Sequence, residues 1–542
     1  MSKLRLYIST AMHLKPSQVV YRVWRRIGGK TPLRFGYNPK PDVGKADIGA
    51  IPVLPELDFD PVLLSRFDVD AILDDRIELL HHEEQVDWRE SWHAELSTPL
   101  WRFNLHYHEY LLPLAKAYLD TGDVRYLDKG KAIVESWIRS CPRSVGGVAW
   151  DPYVISMRVV NWLAFYGELR EKIDHDPIFV SALNCSLAQQ YMHLSQHLEK
   201  DLLANHYLEN LKALVILAHY FNDTQTFDAA LPVLAGQVCE QILPDGMHFE
   251  LSPLYHKVVL EDLLRVAVTL QAQGMEEAET VALLRLQKMC DCLFSLERGA
   301  SRTPLFNDSG DNVAKSCHAL LSCAKKRFGI APTCRVDLPD AGYYLIERDT
   351  AAGHVKVVFD AGAPGPECAL GHAHCDALSM EVFVDGLPAV VNRGTYAYQD
   401  ERRLDLKRTA AHSTVQADGI EQSECWAPFR MARSARCWGK RLGEFEVRGC
   451  MVDWAGNRIE RTVWLGEDGR LAVVDAADPS VRLVSRFHLL GVSAEGPELC
   501  ESCYCPEFGK ALRSTCAEGY GAGSIAAVID LASRDISWDC DR

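Results

Sequence analysis

The period of the apolar residues changes once along the chain, at about residue 340. Between about residues 62 and 330 apolar side chains recur every three or four positions, as Leu208, Leu211, Val215 and Ala218 do within 208–221. This spacing places them on one face of a helix. Consecutive helices with short connections and no strand pattern between them predict an all-α bundle or helical toroid. Further helical segments are predicted at 108–120, 155–170, 179–198, 226–242, 255–272 and 278–294.

After residue 340 the apolar residues alternate or run continuously over strand lengths, as in HVKVVFDAG and RIERTVWLGEDGRLAVVD. Asp385-Gly386 and Asp468-Gly469 are dipeptides that tight hairpins prefer. This half is therefore predicted to be an antiparallel β-sandwich. Because 542 residues are too many for one core, we predict a multidomain α + β protein. Its parts are an N-terminal helix with an extended connector (1–60), a helical toroid (61–335) and a sandwich (336–542).

Bulk properties restrict the partners. The formal net charge of −16 opposes non-specific binding to nucleic acid or to an anionic membrane, although it leaves room for a locally basic cleft. No apolar run approaches the roughly 18 residues of a membrane span, and the N-terminus has no signal-peptide pattern. The eighteen cysteines are scattered through the chain, which suits a reducing compartment. We expect a cytoplasmic protein, with the periplasm as the alternative, and the sequence leaves the oligomeric state open.

The stretch ANHYLEN contains three polar residues at helical spacing. Asn205, His206 and Glu209 would share one side of a first helical turn. The alternative is that Asn205 is simply the N-cap of a helix over 206–221.

A second helix start follows in DGMHFELSPLYH. Ser252 and Pro253 form an N-cap and N1 signature, which puts Tyr255 near the third helical position, where negative charge is favoured. The phenolate would be stabilised there, so Tyr255 is predicted to be a proton acceptor. Its alternative role is hydrophobic packing.

The stretch GHAHCDALS places His372 and His374 just before a strand. If Asp385-Gly386 closes a hairpin, the returning strand brings Asn392 opposite Ser379, near His374. His412 follows on a later strand, so two imidazoles and an oxygen donor could hold a divalent metal. The alternative is a polar turn without a metal.

Six stretches in this order resemble the heparinase II/III-like polysaccharide lyases. The resemblance runs from about residue 100 to the end and rests on ANHYLEN, DGMHFELSPLYH, FNDSGDN (306–312), GHAHCDALSMEVFVDG, PAVVNRGTYAY and AAHSTV. It implies an N-terminal incomplete (α/α) toroid joined to an antiparallel β-sandwich, with a cleft between them that binds acidic polysaccharide.

The resemblance also implies roles for single residues. Asn205 and His206 match the pair that neutralises a uronate carboxylate, with Glu209 beside them. Tyr255 matches the catalytic tyrosine and His372 the second acid/base group of β-elimination. His374 and His412 match the histidines of a structural metal site, for which zinc is the first choice. The family has Asp where this chain has Asn392, a weaker ligand, so the resemblance leaves metal occupancy in question.

Further substrate contacts are candidates. Arg158 and Arg408 could each bind an acidic sugar bidentately, and Tyr396 could stack on a sugar ring. Structural ion pairs and core packing are the alternatives for these residues.

The predicted function is β-elimination of a uronate-containing polysaccharide. One rival is a glycoside hydrolase on the same toroid, which needs two carboxylates flanking the scissile bond. Glu209, Glu250 and Asp308 are available for that role. Another rival is a non-catalytic protein for exopolysaccharide binding or assembly.

Overall fold

The computed structural model describes residues 3–27, 36–492 and 499–539. A helical part is followed by an antiparallel β part, as the change of period predicts. No helix within these residues has the length and apolarity that a membrane crossing requires.

The first hundred residues contain more structure than the predicted helix and connector. Two helices, α1 (Lys3–Met12) and α2 (Pro16–Ile27), begin the chain, and residues 31–35 of the predicted connector lie outside the described residues. Three short helices follow, α3 (Pro55–Asp58), α4 (Pro61–Leu64) and α5 (Val69–Leu73). A hairpin of β1 (Arg76–Leu79) and β2 (His82–Gln85) was not predicted, because strands of four residues are too short to show a period.

The toroid is built from twelve described helices. They are α6 (Pro99–Tyr107), α7 (Leu111–Thr121), α8 (Val124–Ser140), α9 (Pro152–Glu168), α10 (Arg170–Ile173), α11 (Pro177–Gln196), α12 (Ala204–Tyr220), α13 (Thr224–Gln241), α14 (Pro253–Ala272), α15 (Glu277–Leu283), α16 (Leu286–Glu297) and α17 (Cys317–Phe328).

Helix starts and packing explain this arrangement. Helices α6, α9, α11 and α14 each begin with a proline preceded by Thr98, Asp151, Asp176 or Ser252, whose side chain accepts a hydrogen bond from the first turn. Helix α12 contacts α9, α11, α13 and α14, which explains why it is apolar nearly all round. The single helix predicted over 278–294 is wrong, because Arg285 has a positive φ of 53° and separates α15 from α16.

The β part consists of two antiparallel sheets, a small β9–β10 hairpin and one helix, α18 (Arg402–Lys407). The larger sheet has the order β16-β17-β15-β7-β6-β5-β4-β3, with β8 added beside β15, and the other has the order β11-β12-β13-β14-β18-β19. The strands are β3 (Asp337–Leu338), β4 (Tyr343–Thr350), β5 (Gly353–Asp360), β6 (Met380–Val384), β7 (Leu387–Val391), β8 (Val415–Ala417), β9 (Cys425–Ala427), β10 (Arg430–Met431), β11 (Arg436–Gly443), β12 (Glu446–Val452), β13 (Arg458–Leu465), β14 (Arg470–Ala476), β15 (Arg482–Leu489), β16 (Leu499–Glu507), β17 (Lys510–Ala522), β18 (Ser524–Asp530) and β19 (Ile536–Asp539).

The two sheets share one apolar core, in which Phe359 and Val382 of the larger sheet join Val463 and Val473 of the smaller one. The predicted hairpin at Asp385-Gly386 is confirmed: both residues have positive φ, 49° and 81°, as a tight two-residue turn requires.

The two halves meet along a buried seam. Met247 and Leu251 of the helical half pack in one cluster with Tyr343 and Val358 of the sheets. Phe306 belongs to the same cluster and begins FNDSGDN, the stretch that carries polar groups into the seam. The starts of α12 and α14 are thereby brought to the loop 371–379.

Candidate active site

Tyr255 and His372 meet across the seam. Tyr255 is the third residue of α14, and Ser252 caps that helix by accepting a hydrogen bond from the Tyr255 N–H over 3.3 Å, which confirms the predicted helix start. The ring centroids of Tyr255 and His372 lie 4.2 Å apart. A phenol from the helical half and an imidazole from the sheet half are therefore in direct contact.

Asp308 holds His372 in one orientation. The His372 Nδ1–H donates to Asp308 Oδ2 over 2.8 Å, and Arg403 donates to both carboxylate oxygens. Burial alone would raise the pKa of Asp308, but the Arg403 charge and the two imidazole hydrogen bonds hold that pKa well below its usual range. Since the ionised Asp308 accepts a hydrogen bond from the Nδ1–H of His372, the Nε2 atom is left as a proton acceptor.

Tyr255 keeps its proton in the free protein. Burial raises its pKa well above the ordinary value, and the neighbouring Tyr398, Asp308 and Glu250 raise it further. The predicted stabilised phenolate is therefore wrong for the resting state, because burial and negative neighbours outweigh the helix N-terminus. The Tyr255 hydroxyl lies 2.6 Å from the Tyr398 hydroxyl, and either group can donate in this hydrogen bond. Because it keeps its proton, the phenol is available as a proton donor.

Asn205 and His206 begin α12 close to this pair. Asn205 is not the N-cap, which is Leu203, and its Nδ2–H donates to Glu250 Oε2 over 2.6 Å. His206 donates from Nδ1 to Glu199 Oε1 over 3.1 Å. Burial lowers the pKa of His206, but Glu199, Glu250 and Asp151 together raise it to about 9. His206 is therefore a cation at neutral pH, and its side chain is one-third exposed, at 33%.

Glu209 does not face this group. It is 1% exposed and forms a buried ion pair with Lys212, whose Nζ also donates to Asp262 over 2.8 Å. Its predicted substrate contact is wrong in this structure, because the carboxylate is buried in its ion pair with Lys212.

Neither predicted arginine reaches Tyr255 or His372. Arg158 is fully buried and donates to Gln190 and to the carbonyls of His106 and Ala149, so its guanidinium faces the toroid core. Arg408 is exposed and pairs with Asp405 over 3.1 Å.

Two residues near the predicted positions are part of the site instead. Arg403, rather than Arg408, binds Asp308, and Tyr398, rather than Tyr396, contacts Tyr255. Tyr396 lies under the guanidinium of Arg402, 3.3 Å from its ring centroid. The DERRLDLKR and TYAY stretches offer several equivalent candidates, so nothing local in the sequence distinguishes the correct ones.

His374 shares Asp308 with His372, and His374 Nδ1 lies 3.1 Å from His412 Nε2. The other nitrogen of His374 donates to Asp308 over 2.8 Å, and that of His412 donates to the Arg408 carbonyl over 2.9 Å. Burial lowers the pKa of both rings, that of His374 to about 4. Two neutral rings therefore direct lone pairs at each other, an arrangement that a cation or an added proton would stabilise.

The Asn392 side chain reaches Ser379, as predicted, although the hairpin register shifts by one residue between Val382 and Phe383. Its Nδ2–H donates to Ser379 Oγ over 3.4 Å, while its Oδ1 accepts the Ser413 N–H over 2.9 Å. Within the described ranges no three His, Cys, Asp or Glu side chains are grouped to hold a metal ion. The structure therefore shows two imidazoles facing each other, while the Asn392 amide oxygen is bonded to the Ser413 N–H. Two imidazoles and an amide oxygen would hold zinc less tightly than a set with a carboxylate.

The fold and this group of residues define a toroid-and-sandwich protein in which Tyr255 and His372 are in contact between the two halves. Family models for the heparinase II/III N-terminus and for the heparinase II/III-like C-terminal region match residues 63–329 and 330–515, respectively. The chain therefore belongs to the heparinase II/III family.

Known proteins agree with this assignment. The chain is 24% identical over 347 residues to a heparin-sulfate lyase from Pedobacter heparinus, which covers 58% of this chain and 52% of that protein. A second heparin-sulfate lyase, from Bacteroides thetaiotaomicron, is 22% identical over 261 residues, covering 45% and 37%. The chain thus spans about half the length of these curated relatives or less.

Solved structures show the same fold. A heparinase III crystal structure superposes with a TM-score of 0.68 at 14% identity, covering 95% of this chain and 91% of that one. A mutant heparan sulfate lyase from Pedobacter heparinus gives 0.55 at 18% identity, covering 94% and 87%.

Proposed function

We propose that this protein is a polysaccharide lyase that cleaves a uronate-containing polymer by β-elimination. The contact of Tyr255 with an Asp308-oriented His372, next to the cation His206, is the observation that carries the proposal. Family membership and the heparin-sulfate lyase relatives support the same reaction class.

Neutralising the uronate carboxylate is the first requirement of this reaction. Removal of the C5 proton places additional negative charge on that group, so fixed donors are needed where the charge develops. His206 brings a positive charge, and Asn205 brings an amide whose orientation Glu250 fixes. A preorganised donor of this kind is worth roughly 3 kcal/mol.

Proton transfer then divides between the two rings. His372 Nε2 takes the C5 proton, the electron pair forms the C4–C5 double bond, and the C4–O bond breaks. The Tyr255 hydroxyl donates its proton to the departing oxygen, which leaves an unsaturated uronate and a free hydroxyl end. Asp308 stabilises the imidazolium that His372 becomes. Because the pKa of Tyr255 is raised, this residue keeps its proton and suits the role of acid rather than of base.

A hydrolase fits these residues less well. Glu209 is paired with Lys212, Glu250 accepts from Asn205, and Asp308 is enclosed by Arg403 and two imidazoles. Hydrolysis needs two carboxylates that flank the scissile bond, and these three are held by other partners.

We also propose that His374 and His412 hold a structural divalent cation, zinc being the first choice, with the Asn392 amide oxygen as a third donor. Such an ion would neutralise the facing lone pairs and fix His374 against Asp308. Metal analysis of the purified protein and its unfolding midpoint with and without a chelator test this. Absence of bound metal together with an unchanged midpoint contradicts it.

The reaction is tested by ultraviolet absorbance, which the C4–C5 double bond produces and a hydrolysed product lacks. Heparan sulfate is the first substrate to screen, followed by alginate and glucuronan. Tyr255→Phe and His372→Ala should each abolish the signal without loss of fold. Chain shortening without absorbance would establish hydrolysis. Tight polymer binding that neither substitution affects, without cleavage, would favour an exopolysaccharide-binding or assembly role.

A further inference from the structure

The two N-terminal helices turn apolar side chains toward solvent. On α1, Leu4, Ile8 and Met12 follow one another at intervals of four residues and are 68%, 54% and 81% exposed. On α2, Val19 and Val23 are 45% and 53% exposed. A helix on the surface of a globular protein normally packs its apolar stripe against the core. In α1 and α2 these aliphatic side chains face solvent instead.

Polar groups hold the inner side of the helices. Gln18 of α2 is fully buried, and its Nε2 lies 3.1 to 3.4 Å from the carbonyl oxygens of Asp201, Leu202 and Cys368. Thr10 of α1 accepts a hydrogen bond from Trp426 Nε1 over 3.0 Å. Because hydrogen bonds fix both helices to the body of the protein, their apolar faces remain free for another surface.

The charge of this segment is opposite to that of the chain. Residues 1–41 contain nine lysines and arginines and no aspartate or glutamate, whereas the whole chain has a net charge of −16. Lys3 and Arg5 are exposed on α1 beside Leu4, and Arg22 is exposed on α2 next to Val23. Basic residues that flank an exposed aliphatic stripe are typical of helices that lie in a membrane interface.

We propose that α1 and α2 form a docking surface for an anionic lipid bilayer, with both helices parallel to the membrane plane. Their aliphatic side chains would enter the headgroup boundary while the basic residues bind anionic headgroups. A second copy of the chain fits less well, because two segments of the same positive charge would repel each other. A soluble acidic polysaccharide would pair with the charges but leave the aliphatic stripe in water.

Flotation of the full-length protein with lipid vesicles tests the proposal. The protein should float with vesicles of phosphatidylcholine mixed with phosphatidylglycerol, and not with phosphatidylcholine alone. Replacing the α1 stripe, as Leu4→Ser, Ile8→Ser and Met12→Ser together, should lower the partition coefficient roughly a hundredfold. The control Leu119→Ser, Val124→Ser and Ile178→Ser changes three equally apolar residues that are 48%, 54% and 81% exposed elsewhere, and should float like the wild type.

Three outcomes would overturn the proposal. Failure to float with anionic vesicles is the first, and unchanged flotation of the stripe variant is the second. The third is evidence that α1 and α2 bind a different partner, in a protein that does not float with vesicles. Either of two results would show this. A concentration-dependent dimer that the stripe variant abolishes would assign the face to a second copy, and retention on an acidic polysaccharide that Lys3→Glu and Arg5→Glu together abolish would assign it to a polymer. None of these results depends on lyase activity, since α1 and α2 contribute no residue to the catalytic pair.

Discussion

Asp308→Asn is the sharpest test of how the acid-base pair is organised. The carboxylate accepts from His372 Nδ1 and His374 Nε2, both at 2.8 Å, and from two N–H groups of Arg403. An asparagine has one acceptor oxygen and one NH₂ group, so its NH₂ must face a set of donors. Arg403 cannot change from donor to acceptor, and it therefore loses one partner in either orientation.

The orientation of the new amide sets the size of the effect. If the NH₂ faces His372, that ring must move its proton to Nε2, and an analogous tautomer change in a Ser-His-Asp triad costs about 10⁴ in kcat. If it faces His374, His372 keeps its tautomer but loses the anion that stabilises its imidazolium. That loss is about 1.5 to 3 kcal/mol, or roughly 10- to 150-fold in rate. We therefore expect kcat to fall by between about 10-fold and 10⁴-fold.

The assay is the initial rate of ultraviolet absorbance on a polymer that the wild type cleaves, together with the free energy of unfolding in denaturant. Uncompensated burial of Arg403 should lower that free energy by about 3 kcal/mol. Asp475→Asn is the matched control, because Asp475 is an equally buried carboxylate paired bidentately with Arg461 in the sandwich core. The control should lose stability and keep its rate. If Asp308→Asn retains more than a tenth of wild-type kcat, the proposed orientation of His372 is refuted.

Other substitutions separate the remaining roles. Tyr398→Phe, which removes the 2.6 Å partner of the catalytic hydroxyl, should lower kcat about tenfold with little change in KM, and an unchanged kcat would show that the contact is incidental. Asn205→Asp should raise KM at least tenfold, because it sets a second carboxylate beside Glu250, whereas unaltered KM would move the substrate carboxylate elsewhere. Since the raised pKa of His206 is about 9, its charge is complete at neutral pH and is lost as the pH rises through that value. KM of the wild type should therefore rise in the same range, and in His206→Gln this rise should be absent. With a chelator, the unfolding midpoint should fall in the wild type and not in His412→Ala, and an equal response of the two would contradict a cation between the histidines.

Local sequence signals predicted the elements that carry the site better than the contacts within it. Ser252 and Pro253 specify the start of α14, because the serine side chain caps the first turn and proline favours the first helical position. The position of Tyr255, two residues after Pro253, followed from this signal. The Asp385-Gly386 turn likewise predicts the hairpin that brings Asn392 close to Ser379. The one-residue register shift between Val382 and Phe383 could not be derived from the turn.

The contacts that orient the chemistry could not be derived in this way. Asp308 binds His372 and Arg403, which lie 64 and 95 residues further along the sequence. No helical or strand period relates residues that are so far apart in the chain. Glu209 was misplaced for a related reason, since helical spacing shows which residues share a side of α12 but not whether that side faces the cleft or the core. The pKa of Tyr255 depends on burial that only the assembled seam creates.

The N-terminal helix α2 connects the two halves of the protein that contribute Tyr255 and His372. Tyr255 and His372 belong to different halves, so their 4.2 Å contact lasts only while the halves keep their relative position. Gln18 joins the carbonyls of Asp201 and Leu202 in the helical half to that of Cys368, four residues before His372. The polar side of helix α2 therefore links the two halves across the seam. The apolar side of the same helix faces solvent. A bilayer bound to that apolar side would hold the link in place without approaching the acid-base pair.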